Sequence, residues 1–208
     1  MFDRLGSTSS FFPRFRRTSF FAAIALPVVM SLGCGRNEIV APTASATIGQ
    51  FTVDASADWA YFSLSSGAAA PQTAAATSTA WDIAFKATSV MLNGGANGPA
   101  GMTGFCICQN GAATDDQILA MTPDNQDAGF TTVTASSIPT SDSSWTSDVF
   151  DTHAWYRYNI TGDHHISPTF DVYLIKRGST VYKLQLINYY GPAGEVRQIS
   201  GRFSQVQN

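Results

Sequence analysis

The sequence predicts an all-β, mainly antiparallel fold of two packed sheets, with one short helix. Three observations lead there. Several segments alternate apolar and polar residues with period two. Two of them flank Arg177-Gly178-Ser179-Thr180, a hairpin turn with Gly at its centre. No long segment carries a convincing 3.6-residue period. Only 13% of the 208 residues are charged, and Ser, Thr, Ala and Gly abound, as in an exported β protein rather than a cytosolic enzyme.

The chain opens on a segment that is not part of this fold. Arg14, Arg16 and Arg17 form a basic region, and Phe20 to Leu32 an apolar run, as in a secretory signal (residues 1–33). At about 13 residues the run is shorter than the roughly 20 needed to span a bilayer. It ends in Ser31-Leu32-Gly33-Cys34-Gly35, which resembles the bacterial lipobox, with Ser31 where that pattern prefers Leu. The resemblance implies lipidation of Cys34. Arg16-Arg17-Thr18-Ser19-Phe20 is also similar, with Phe one place late, to a twin-arginine signal. Residues 34–50 read as a polar tether and 51–208 as one domain. A chain starting at Cys34 keeps 8 basic and 14 acidic residues, because four Arg and one Asp precede it. Its net charge of about −6 and its lack of Lys/Arg clusters exclude nucleic acid as a partner.

Trp59 to Leu64 is a short aromatic strand. Residues 67 to 80 form a low-complexity connector, read as loop from Pro71 and the Ser/Thr content. In Trp81 to Lys86, Trp81, Ile83 and Phe85 share one face, leaving Asp82 and Lys86 on the other; Met91 reads as core. The following Gly-rich loop, with Asn93, Asn97 and Pro99, requires positive φ or close backbone approach. It has neither GxxxxGK[ST] nor GxGxxG spacing, which excludes a nucleotide-binding reading. Asp115 to Met121 is the candidate helix. Phe170–Lys176 and Val181–Ile187 are the hairpin strands; Tyr182, Leu184 and Leu186 form the apolar face, Lys183 and Gln185 the wet one. Arg197 to Val206 is the last strand, with Ile199 and Phe203 inward.

Trp81-Asp82-Ile83-Ala84-Phe85, Leu92-Asn93-Gly94-Gly95 and Gly98-Pro99-Ala100-Gly101 resemble the HmuY-like family of bacterial haem-binding lipoproteins. So does Trp59 to Leu64. Downstream, Trp155-Tyr156, Tyr158, His165-Ile166-Ser167-Pro168, Val172 to Ile175, Tyr182 to Leu186, Tyr189-Tyr190 and Gly194 follow the family's order. The resemblance covers residues 50 to 205. It implies a haem cleft between loops at one end of the sheets, no enzymatic turnover, and delivery of haem to an outer-membrane receptor. It also implies an exported protein, held at the outer membrane by its lipid alone. On this reading the Gly-rich loop is a rigid corner of the scaffold.

The resemblance carries over no iron ligands, so the donors are enumerated by type: His imidazole, Met thioether, Cys thiolate or Tyr oxygen. His153 leads, in a loop entering an aromatic strand; Met121, Met102, His165 and His164 follow. Neighbours on a strand face opposite ways, so His164 and His165 do not share one iron. Arg157, Lys176 and Arg177 are cations for the propionates. Cys106 and Cys108 read as a disulfide through a bulge or turn, as two reduced thiols, or as part of a metal site. A Zn site wants four donors, and no second Cys pair exists. Asp115, Asp116, Asp124 and Asp127 lack the spacing of a Ca²⁺ loop. No GxSxG or HExxH motif is present. Three functions remain: haem capture, a related scaffold that binds another ligand or protein, and an enzyme using Cys106 and Cys108.

Overall fold

The computed structural model describes residues 47–71 and 76–206. The signal segment, Cys34 and most of the tether lie outside them. Among the described residues no helix is long and apolar enough to cross a membrane.

Strand β1 (Gly49–Asp54) starts two residues before the boundary drawn at 51. It alternates cleanly, with Phe51 and Val53 buried, yet lies ahead of the first strand read from the sequence. Then come β2 (Ala60–Ser63), β3 (Ala68–Ala69), β4 (Ile83–Lys86), β5 (Ser89–Leu92) and β6 (Thr103–Cys106). Three helical turns follow, α1 (Asp115–Leu119), α2 (Asp127–Thr131) and α3 (Val149–Thr152). The chain closes with β7 (Tyr156–Tyr158), β8 (Ile166–Pro168), β9 (Val172–Arg177), β10 (Thr180–Tyr190) and β11 (Val196–Gln205). The strands form a five-stranded sheet β1-β11-β10-β9-β6, a four-stranded sheet β3-β2-β4-β5 and the β7-β8 ribbon, all antiparallel.

The main core lies between the two larger sheets. Ile83, Phe85 and Leu92 meet Ile175, Leu184, Leu186 and Ile199 there, all fully buried. Phe51 stacks obliquely with Phe62, Phe85 and Phe203, at 4.7, 5.6 and 6.2 Å between ring centroids.

The opposite face of the five-stranded sheet is also covered, which corrects the reading of a wet face. Phe130 of α2, with Val133, packs on Val172, Leu174, Val181 and Val206. Lys183 is 9% exposed and Gln185 is fully buried. Lys183 Nζ donates to the carbonyls of Phe130 (2.9 Å) and Val133 (3.0 Å), and Gln185 Nε2 to Phe170 O (2.6 Å). Buried polar groups persist only with such partners. Asp82 is buried and satisfied in the same way. It is 1% exposed and accepts from Leu64 N (2.7 Å), Ser63 Oγ (3.2 Å) and Arg177 Nη1 (2.7 Å). Met91 is only half-buried, because Val90 and Leu92 carry that strand's apolar contacts.

The Gly-rich loop is a corner built around buried Asn93. Its Nδ2 donates to Ser78 O and Trp81 O (both 2.8 Å), and its Oδ1 accepts from Ala100 N (3.2 Å). A Cβ at Gly94 would sit 1.9 Å from the Met102 carbonyl oxygen, so only Gly allows the approach. Gly95 adopts φ +56°.

Candidate functional site in the clefts flanking the β7-β8 ribbon

The ribbon carries two of the three histidines at its tip and separates two clefts. Asn159 and His164 both adopt positive φ there, each at +61°. The turn is locked by Asn159 N donating to His165 O (2.8 Å) and His164 N donating to Asn159 Oδ1 (2.7 Å). His165 N donates to Asp163 Oδ1 (3.1 Å). Asp163 is held below the usual carboxylate range, first by the Thr161 side chain and then by this amide.

On one side, His165 and Met121 line the same cleft of about 400 Å³. Ile118, Leu119, Pro123, Ile166, Pro168, Phe170 and Ile187 supply its apolar walls. The His165 ring stacks on Tyr190, 4.4 Å between centroids at 18°. Met121 is placed by the capped helix before it and the tied loop after it. Thr114 caps α1, its Oγ1 accepting from Gln117 N (3.3 Å) while Gln117 Oε1 accepts from Thr114 N (2.8 Å). Asn125 then joins Thr122 N (2.9 Å) to Ala120 O (2.9 Å).

On the other side, His164 lines a cleft of about 480 Å³ with Tyr156, Tyr158, Tyr189 and Tyr190. Its Nδ1 lies 2.6 Å from the Tyr158 hydroxyl. The adjacent histidines therefore line different clefts, although both lie in the turn before β8 and not on a strand. His153 belongs to neither. It follows the last residue of α3, in the loop that leads into β7, and borders a smaller hollow with Cys108, Ala154 and Arg157. Its Nδ1 is 3.4 Å from Cys108 Sγ.

Among the sequence candidates, the structure thus places Met121 and His165 in the lining of one cleft and leaves His153 and His164 elsewhere. Met102 requires a correction: it is fully buried in the main core, where no external ligand reaches its sulfur. The three candidate propionate cations are engaged too. Arg157 pairs with Asp115 (2.7 Å), Lys176 with Asp142 (3.1 Å) and Arg177 with Asp82 (2.7 Å), and none lines the Met121–His165 cleft. Cys106 and Cys108 are joined in a disulfide, their Cα atoms 5.0 Å apart, so neither is a free nucleophile in this state. Tyr190 was missed as a site residue, since nothing local marks it as the platform for a histidine 25 positions upstream.

The model of the HmuY protein family matches residues 55–203, most of the chain. This protein belongs to the HmuY family. The apo HmuY analogue of Tannerella forsythia shares its fold, with TM-score 0.52 and 12% identity over 81% of this chain and all of that one. Apo PinO from Porphyromonas gingivitis aligns at TM-score 0.49 and 10% identity, over 79% of this chain and 99% of that one. No curated protein matches the sequence. Family membership accounts for the order of motifs from Trp81 to Gly194 and for two packed antiparallel sheets.

Proposed function

We propose that this HmuY-family protein is an exported lipoprotein that binds haem without turning it over, with His165 and Met121 as the axial pair. The observation that carries this reading is that both line one cleft, whose walls combine apolar residues with Thr122, Ser167, Asn188 and Ser200. Its volume falls in the range of small-molecule sites, roughly 300–1,000 Å³. Imidazole and thioether are both haem-iron donors, and a His/Met pair raises the reduction potential relative to two histidines. Tyr190, stacked on His165, restricts the imidazole before ligand arrives. Cys34 carries the lipid anchor at the outer membrane, and an outer-membrane receptor accepts the haem.

The test is a haem titration of the chain from residue 36 onward, oxidised and reduced, read by visible absorption. A saturable Soret shift, with sharp α and β bands on reduction, is the expected result for six-coordinate iron. His165→Ala and Met121→Ala each remove one axial bond and abolish the six-coordinate spectrum; Met102→Ala does not. A flat titration overturns the reading and leaves the cleft to another ligand or a protein partner.

A further inference from the structure

The C-x-C segment gains from the fold a donor that its sequence neighbourhood lacks. Cys106 ends β6 and is 7% exposed, while Cys108, two residues on, takes φ +49°. His153 reaches them from 45 positions away. Its backbone is fixed at both ends: its N–H donates to Val149 O (2.9 Å), and its carbonyl accepts from the Tyr173 hydroxyl (2.9 Å). The imidazole is thereby directed at Cys108, and the ligand atoms of Cys106, Cys108 and His153 all lie within 4.8 Å of one another. A hollow of about 280 Å³ borders Cys108 and His153, giving an ion access.

We propose that reduction of the Cys106–Cys108 disulfide turns this corner into a binding site for one thiolate-seeking d¹⁰ cation, Zn²⁺ or Cu⁺. In the disulfide the sulfurs carry no thiolate charge, and the site is off. A small-molecule dithiol supplies two electrons and two protons: the S–S bond breaks, two cysteine thiols form, and the reductant leaves as its own disulfide. Binding then releases the two thiol protons as two metal–sulfur bonds form. His153 binds through one nitrogen of the neutral ring. Metal bonds of about 2.0–2.3 Å set donors roughly 3.5–3.8 Å apart on a tetrahedron, so the observed cluster needs shifts of only about 1 Å. Two sulfurs and one imidazole suit soft and borderline cations, and three protein ligands leave Zn²⁺ a fourth position for solvent. The site shares no residue with the Met121–His165 cleft.

The test uses the full-length chain, reduced with a phosphine and titrated with Co²⁺ as a spectroscopic substitute for Zn²⁺. Expected are thiolate-to-cobalt charge-transfer bands and tetrahedral d–d bands, saturating at one equivalent and erased by Zn²⁺. The oxidised protein gives neither. His153→Ala weakens binding by more than the roughly 10–100-fold that loss of an outer-sphere partner costs. Cys106→Ser/Cys108→Ser, which keeps Cys34, abolishes the bands. Identical spectra before and after reduction, unchanged affinity in His153→Ala, or bands persisting in the double serine variant would each overturn the proposal.

Discussion

The two faces of the five-stranded sheet are buried by different means. Toward the second sheet, β9, β10 and β11 present Ile175, Leu184, Leu186, Ile199 and Phe203, and the contacts are aromatic and aliphatic. Toward the helical turns, the same strands present Lys183, Gln185, Arg202 and Ser204 among a few apolar residues, and all four are buried. Lys183 and Arg202 both lie over the Phe130 ring, each 4.7 Å from its centroid. Arg202 also donates to Gln185 Oε1 (2.8 Å) and to Asp127. The first face is held by area removed from water, which is non-directional. The second adds to its smaller apolar cluster the hydrogen bonds of Lys183 and Arg202 to α2 and its flanking residues, which exist only when α2 is docked. Stability is concentrated on the first face and positional specificity on the second.

The largest effect belongs to the apolar face. Phe85→Ala, on β4 of the second sheet, opens a cavity against Phe51 of the five-stranded sheet and costs about 3–5 kcal/mol in denaturant unfolding. Lys183→Met is the matching test of the polar face. It leaves the Phe130 and Val133 carbonyls without their donor, at about 1–3 kcal/mol. A loss equal to that of Phe85→Ala would break the comparison. Asp127→Asn removes only the half-exposed end of the Arg202 pair and costs ~1 kcal/mol or less by the same measurement.

The smallest effect is a pH slope. Burial first, and then Arg202, lowers the Lys183 ammonium below its ordinary 10.5. Between the folded value and 10.5 the unfolded chain still holds a proton that the folded chain has released. Stability contributed by this group therefore rises with pH across that alkaline window. Lys183→Met lacks this slope. Unfolding of both chains across the alkaline range, taken as a difference, reads the slope.

Much of the first face was legible in the sequence. The alternation through Ile83 and Phe85, the hairpin at Gly178 and the inward Ile199 and Phe203 all sit where period two puts them. The second face was not, because alternation tells only which residues share a side. Whether Lys183 and Gln185 meet water depends on a helix more than 50 positions upstream folding over them. The partners of Asp82 were not legible for the same reason: Leu64 and Arg177 come from either side in sequence, and no local pattern records them. At the candidate site, the donor types were readable but their grouping was not. Met121 and His165 are 44 positions apart and line one cleft because α1 packs beside β8.

By itself, then, the sequence determined the all-β class, the main core strands and the need for glycine in the loop after β5. These follow from local sterics and side-chain periodicity, which act over a few residues. The tertiary structure alone decided that Met102 is core, that Met121 and His165 share a cleft, and that His153 turns to the Cys106–Cys108 disulfide. Each of those outcomes depends on which distant segments pack together, and the free energy of that packing is a property of the whole chain.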